Sequence, residues 1–336
     1  ISHISYLASE ELGGRYPGTA GDSLAAIYIR DQFESYGLEL PGENGFQAIE
    51  VVTEVNLGAN NSFGWNRRML TVEADFMPLS FSGNGNVRSG LVFAGYGIHM
   101  DKPDFKYNDY ANLDVAGKIV MILEGGPKVE EGQEDSFVGY LSHRSKILNA
   151  TDNGAIGVVF VAGSLFDDKD ELKFVKKKEP SVGIPVIRLK RSLADELLQQ
   201  TGQTIDVLEE KHTSGEKGGF AFRETVFFQT DIVSEAAQTQ NVMGFLNVTG
   251  SDGEILVIGA HYDHLGTSNG YIYNGADDNA SGTVGVMTVA KAMMASGVQP
   301  EKTIVFCAWT GEEKGLLGSS YFTDNHYDWN ILCNLN

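Results

Sequence analysis

Two runs near the carboxyl end, EILVIGA at residues 254–260 and TIVFCAW at residues 303–309, are almost unbroken by polar residues and have the length of single strands. A strand open to water on one face alternates apolar and polar side chains, whereas one that is apolar throughout has to be covered on both faces. Between the runs, residues 280–296 carry apolar side chains at helical spacing, and residues 314–325 read as a second helix. Strand, helix, strand, helix in this order predicts an α/β fold, with a parallel sheet covered by helices on each side.

The rest of the chain divides by texture. Residues 1–64 read as helix, Gly-rich turn, helix and strand: Leu24, Ala25, Ile27, Tyr28, Phe33 and Tyr36 recur at helical spacing after an Asp22 cap, Gly37 closes the helix, and Phe46 to Val55 is a strand. Over residues 65–222 short β-type runs (Ser89 to Tyr96, Gly117 to Leu123, Ile156 to Ala162, Gly183 to Leu189) alternate with acidic loops and with helices at Tyr140 to Ala150 and Ser192 to Gln199. This is the pattern of a separate, inserted α+β module. Within it, Asp167 to Glu179 mixes both charge signs and reads as a solvated segment. Residues 223–336 continue the first domain.

Composition excludes several classes of partner. With 25 Lys and Arg against 45 Asp and Glu the formal net charge is −20, which repels phosphate backbones and anionic lipid and makes nucleic acid a poor partner. No run reaches the roughly 18–20 apolar residues of a membrane-spanning helix. Two cysteines, Cys307 and Cys333, cannot make a disulfide framework, and Cys307, inside an apolar run, reads as a buried thiol. Nothing in the pattern specifies an oligomeric state. A surplus of carboxylates does suit a small cation.

In open α/β sheets ligands bind just beyond the carboxyl ends of the strands. The first apolar run is followed by His261-Tyr262-Asp263-His264-Leu265-Gly266 and, after a polar loop, by Asn274-Gly275-Ala276-Asp277-Asp278-Asn279-Ala280-Ser281-Gly282; the second is followed by Thr310-Gly311-Glu312-Glu313-Lys314-Gly315. Carboxylates crowded at one edge need a counter-charge, which nearby only Lys314 offers. A divalent metal neutralises them more effectively, and imidazole with carboxylate oxygen suits zinc in a hydrolytic site. His261 can bind through one ring nitrogen while Asp263, two residues on, accepts from the other. Asp277 has two oxygens with which to bridge two metals. Glu312 and Glu313, adjacent at a strand-to-helix turn, point apart, so one can ligate while the other carries a proton. Asp278 or Asn279, just before the helix, is placed to cap it.

On these strings the chain resembles the di-zinc aminopeptidase family, whose wider superfamily includes glutamate carboxypeptidase, glutaminyl cyclase and the non-catalytic transferrin receptor. The turn Leu12-Gly13-Gly14-Arg15-Tyr16-Pro17-Gly18-Thr19 is similar to that family's first turn. Phe93-Ala94-Gly95-Tyr96-Gly97 and Gly117-Lys118-Ile119-Val120 resemble the protease-associated domain often inserted in such enzymes. The resemblance implies the zinc exopeptidase fold, a mixed, largely parallel sheet flanked by helices, and a zinc-dependent exopeptidase activity, most simply that of an aminopeptidase acting on peptides. It implies two zinc ions, with His261 binding one, Asp277 bridging both and Glu313 binding the other. Asp263 would orient His261, and Glu312 would be the general base that deprotonates a metal-bound water and passes the proton to the leaving amine. The family's two further ligands, an aspartate and a histidine, have no counterpart in the sequence, and the polypeptide is expected to continue past Asn336. His326, on the helix after Glu313, lies away from the strand ends. His3, His99, His143 and His212 read as structural or surface residues, and His264 as lining the site or merely filling space beside it.

Two alternatives accompany this reading. A glutaminyl cyclase works with one zinc, and Asp277 with the intact Glu312-Glu313 pair argues against it. A receptor-like binding module would have kept the fold and lost the chemistry, against which Glu312 speaks. The family, together with an amino terminus at Ile1 that fits removal of a leader, implies a periplasmic or secreted location.

Overall fold

A computed structural model describes residues 2–102, 105–128, 137–247, 253–297, 299–325 and 329–336. The chain forms two compact units, Ile1–Thr53 with Glu235–Asn336, and Glu54–Ser234.

In the first unit TIVFCAW becomes the strand Thr303–Trp309, buried at every position. It is the middle strand of a five-stranded sheet in the order Phe46–Leu57, Ile232–Leu246, Thr303–Trp309, Glu254–His261, Asn330–Leu335. Its pairing with Glu254–His261 is parallel and in register to the end, Ala260 opposite Ala308 and His261 opposite Trp309. The pairing with Ile232–Leu246 is antiparallel, so the sheet is mixed. Both faces are covered, as strands apolar on both sides require. On one face Phe306 and Ala308 pack with Ala25, Ala26, Ile29 and Phe33 of the helix Ala20–Tyr36 and with Val286, Met287 and Ala290 of the helix Gly282–Ser296. On the other, Val305, Cys307 and Trp309 meet Phe322 of the helix Leu317–Asp324. Burying an aromatic such as Phe33 or Phe306 contributes about 1.5–3 kcal/mol each.

Two helices depart from the sequence reading. In Ala20–Tyr36 the buried stripe is Ala25, Ala26, Ile29 and Phe33, while Leu24 and Ile27 are exposed. The stripe is rotated because Asp22 is itself buried. Thr19 caps the helix, accepting from Asp22 N (3.4 Å), and the Asp22 carboxylate accepts in return from Gly18 N (3.1 Å). The segment after Trp309 is a single tight turn, Glu312–Lys314, and the helix starts only at Leu317. Gly315 and Leu316 between them have φ of 94° and 62°, values a right-handed helix cannot contain.

The second unit is built on an eight-stranded sheet whose centre, Gly85–Phe93, Ile119–Leu123, Gly157–Val161 and Val186–Leu189, is parallel. Alternation along Ile119–Leu123 sends Ile119, Met121 and Leu123 into one core and Val120 and Ile122 into another. The first core is closed by Leu193 and Leu197 of the helix Arg191–Leu198 and Leu208 of the helix Ile205–Thr213, the second by Ile147 and Ala150 of the helix His143–Asp152. The helix Ile205–Thr213 has no counterpart in the sequence reading. Residues 167–179 contain neither helix nor strand.

Candidate metal centre

Because Glu254–His261 and Thr303–Trp309 end in the same register, the segments that follow them meet at one edge of the sheet. The joint is closed by Tyr262 N, which donates to Trp309 O (2.9 Å), and by the fully buried Tyr262 ring, whose hydroxyl donates to Gln240 O (2.7 Å). Thr283 at the start of the helix Gly282–Ser296 donates to His261 O (2.8 Å) and ties that helix to the strand end.

His261 is buried, with Nδ1 3.2 Å from Asp263 O and 3.5 Å from Asp263 Oδ1. Its Nε2 faces Asp278 Oδ1 at 3.1 Å and Glu312 Oε2 at 3.8 Å. Burial works against the imidazolium, but the hydrogen bond and charge of Asp263, joined by the charge of Glu312, outweigh it and push the His261 pKa above its ordinary value. Asp263 is wholly buried and does two jobs. Besides facing His261, its two oxygens accept from Glu312 N (3.1 Å) and Glu313 N (3.4 Å), so one carboxylate orients the imidazole and the backbone of both glutamates. His264 Nδ1 lies 2.6 Å from Glu313 Oε1, and one ligand atom from each of His264, Asp278 and Glu313 falls within 4.8 Å of the others.

Within the central acidic run Asp278, rather than the Asp277 expected to bridge two metals, lies against His261. The carboxylate that reaches His261 belongs to Asp278, itself 65% exposed, while Asp277, also exposed, accepts from Ser281 Oγ (2.8 Å) at its carbonyl. The reason is local: Asp278 leaves helical geometry (φ −111°, ψ 99°), and Asn279, whose Oδ1 accepts from Gly282 N (3.0 Å), takes the capping place.

Lys314 Nζ donates to Tyr16 OH (2.8 Å) and Val52 O (3.3 Å). The buried cation is Arg15, whose guanidinium lies near Asp263 and Asp278. Its signal was its place inside a motif-like turn, but no spacing rule ties that turn to residues about 250 positions away. Of the remaining histidines, His3 Nδ1 contacts Tyr28 OH (2.6 Å), His143 Nε2 contacts Glu124 Oε1 (2.9 Å), His99 is exposed and His212 packs edge-on against Phe93. His326 lies outside the described residues.

Asp263, Asp278, Glu312 and Glu313 thus share one edge with a single buried guanidinium behind them. Carboxylates in this number are held together cheaply only by a further cation, and the oxygen and imidazole nitrogen donors present suit zinc.

Comparison with known proteins gives the same direction. Residues 241–336 match the profile of peptidase family M28 and residues 87–197 that of the PA domain. The chain is 26% identical over 292 residues to a glutamate carboxypeptidase 2 homolog of Caenorhabditis briggsae, a match covering 74% of this chain and 37% of that protein. It is 27% identical over 329 residues to aminopeptidase YwaD of Bacillus subtilis (strain 168), covering 96% of this chain and 57% of the relative. It therefore spans from about a third to a little over half of the length of these relatives. Among solved structures, the aminopeptidase from Aneurinibacillus sp. strain AM-1 aligns with a TM-score of 0.44 at 20% identity, over 97% of this chain and 66% of that one. The chain is thus similar to peptidase family M28 over residues 241–336 and to the PA domain over residues 87–197.

Proposed function

We propose that the first unit is the metal-bearing part of a zinc-dependent exopeptidase, an aminopeptidase that removes amino-terminal residues from peptides. The observation that carries this reading is the convergence of His261, Asp278, Glu312 and Glu313 where two adjacent parallel strands end. His261, Asp278 and Glu313 would hold the metal, Asp278 taking the part first expected of Asp277, and two zinc ions per protein are proposed. A bound zinc ion supplies Lewis-acid polarisation of the scissile carbonyl and of water. The protein's own groups do the remaining work. Glu312, with its side chain 38% exposed, faces the open side and takes the proton from the attacking water, then returns it to the departing amine. Asp263 holds His261 and the Glu312–Glu313 backbone in place throughout. The ammonium group of a peptide is drawn to the surrounding carboxylates, which favours cleavage at the amino end. A periplasmic or secreted location is proposed on the family resemblance and is tested by fractionation of the native organism.

The experiment is hydrolysis of amino-acyl reporter amides with and without chelator, comparing the protein with Glu312→Gln. The variant is expected to lose about 10²–10⁴-fold in kcat while keeping its zinc, because the base goes and the ligands stay. If Glu312→Gln lost its zinc while Glu313→Gln kept it, the two roles would be exchanged. Release of pyroglutamate and ammonia from an amino-terminal glutaminyl peptide would identify a cyclase instead.

A further inference from the structure

Resting on that reading of the site, we propose that Arg15 is a positioning residue: its buried guanidinium fastens the loop that carries Asp278 to the strand end that carries His261 and Asp263, and so sets the spacing of the metal-binding groups. The side chain is fully buried, yet its hydrogen bonds go to backbone carbonyls. Nε donates to Tyr262 O (2.6 Å), Nη1 to Asn274 O (2.8 Å) and to Leu7 O, and Nη2 to Gly275 O (2.9 Å). Tyr262 stands between His261 and Asp263, and Gly275 is three residues before Asp278, so one rigid plane spans the two segments whose side chains meet at His261.

The main chain of the same turn reinforces the join. Arg15 O accepts from His264 N (3.3 Å), and Gly14 O accepts from Gly266 N (3.1 Å). Arg15 itself sits at φ 51°, a conformation that non-glycine residues avoid and that the fork's hydrogen bonds hold in place. Burial lowers the Arg15 pKa to about 10 while Asp263 and Asp278 pull it back up, so the group stays charged at neutral pH behind the carboxylates. A guanidinium holds its five donors in fixed directions and here reaches four carbonyls, one more than the three donors of an ammonium on a flexible stem could serve.

The test uses Arg15→Lys and Arg15→Gln. Three quantities are measured: zinc affinity by competition with a chromogenic chelator, kcat and KM on a reporter amide, and hydrogen exchange of the amides of residues 274–279. The expected result is folded protein with zinc bound at least about tenfold more weakly in both variants, faster exchange confined to residues 274–279, kcat reduced and KM near that of the parent. The inference is overturned if a folded variant holds zinc within about twofold of the parent, if exchange at 274–279 is unchanged, or if neither variant folds, which would mark Arg15 as scaffold alone. If the parent binds no zinc, the metal reading fails and the exchange at 274–279 still decides the role of Arg15. If zinc binds and weakens as expected but no peptide is cleaved, only the exopeptidase reading fails.

Discussion

Gly13 and Gly14 are adjacent, both left-handed, and differ in one respect that a pair of alanine substitutions isolates. Their φ values are 53° and 75°, so either alanine costs about 1–2 kcal/mol for a backbone conformation that L residues avoid. A Cβ on Gly13 would meet nothing within 4 Å. A Cβ on Gly14 would lie 2.5 Å from Tyr273 O, 2.6 Å from Gly266 O and 2.8 Å from Gly266 Cα, all of them backbone atoms that no rotamer change can clear. The turn and the two site-bearing segments have to separate, adding about 1–3 kcal/mol to the cost at position 14. Gly14→Ala is therefore expected to melt about 2–12 °C below Gly13→Ala in thermal unfolding followed by circular dichroism. It should also bind zinc more weakly, since Gly266 and Tyr273 flank the segments that carry His264 and Asp278. Equal melting temperatures with equal zinc affinities would refute the claim that the amino-terminal turn is pressed against the site by backbone contact.

Two further outcomes follow from the same geometry. Asp22 is buried with one oxygen unpartnered, and burial raises its pKa from 3.8 to about 7, against the opposing hydrogen bonds of Thr239 and Gly18. Between about pH 4 and pH 7 the folded state keeps a proton that the unfolded chain has released, so the penalty is absent below about pH 4 and complete above about pH 7, at roughly 4 kcal/mol. Relative to the parent, Asp22→Asn should gain stability by that amount as the pH rises from about 4 to about 8 in denaturant titrations, and a difference independent of pH would exclude an ionised, buried Asp22. Asp263→Ala leaves the amides of Glu312 and Glu313 without their acceptor and His261 without its neighbour. Zinc affinity should drop about 10–100-fold by equilibrium dialysis, and an unchanged value would remove Asp263 from the site.

Much of the architecture was legible in the amino-acid order because it depends on local burial. EILVIGA and TIVFCAW can be satisfied only by cover on both faces, and the structure provides it from the helices Ala20–Tyr36, Gly282–Ser296 and Leu317–Asp324. The edge at which chemistry collects follows from the parallel pairing, which brings the segments after His261 and Trp309 together. What the sequence could not supply lies where the chain bends or where distant segments meet. Which of two adjacent aspartates turns toward His261 depends on the backbone at Asp278, which leaves helical geometry just ahead of the helix Gly282–Ser296. That Arg15 rather than Lys314 is the buried cation behind the carboxylates depends on contacts across some 250 residues. Apolar periodicity reports how a segment meets the core; the aim of a single polar side chain is decided only when several segments close around it.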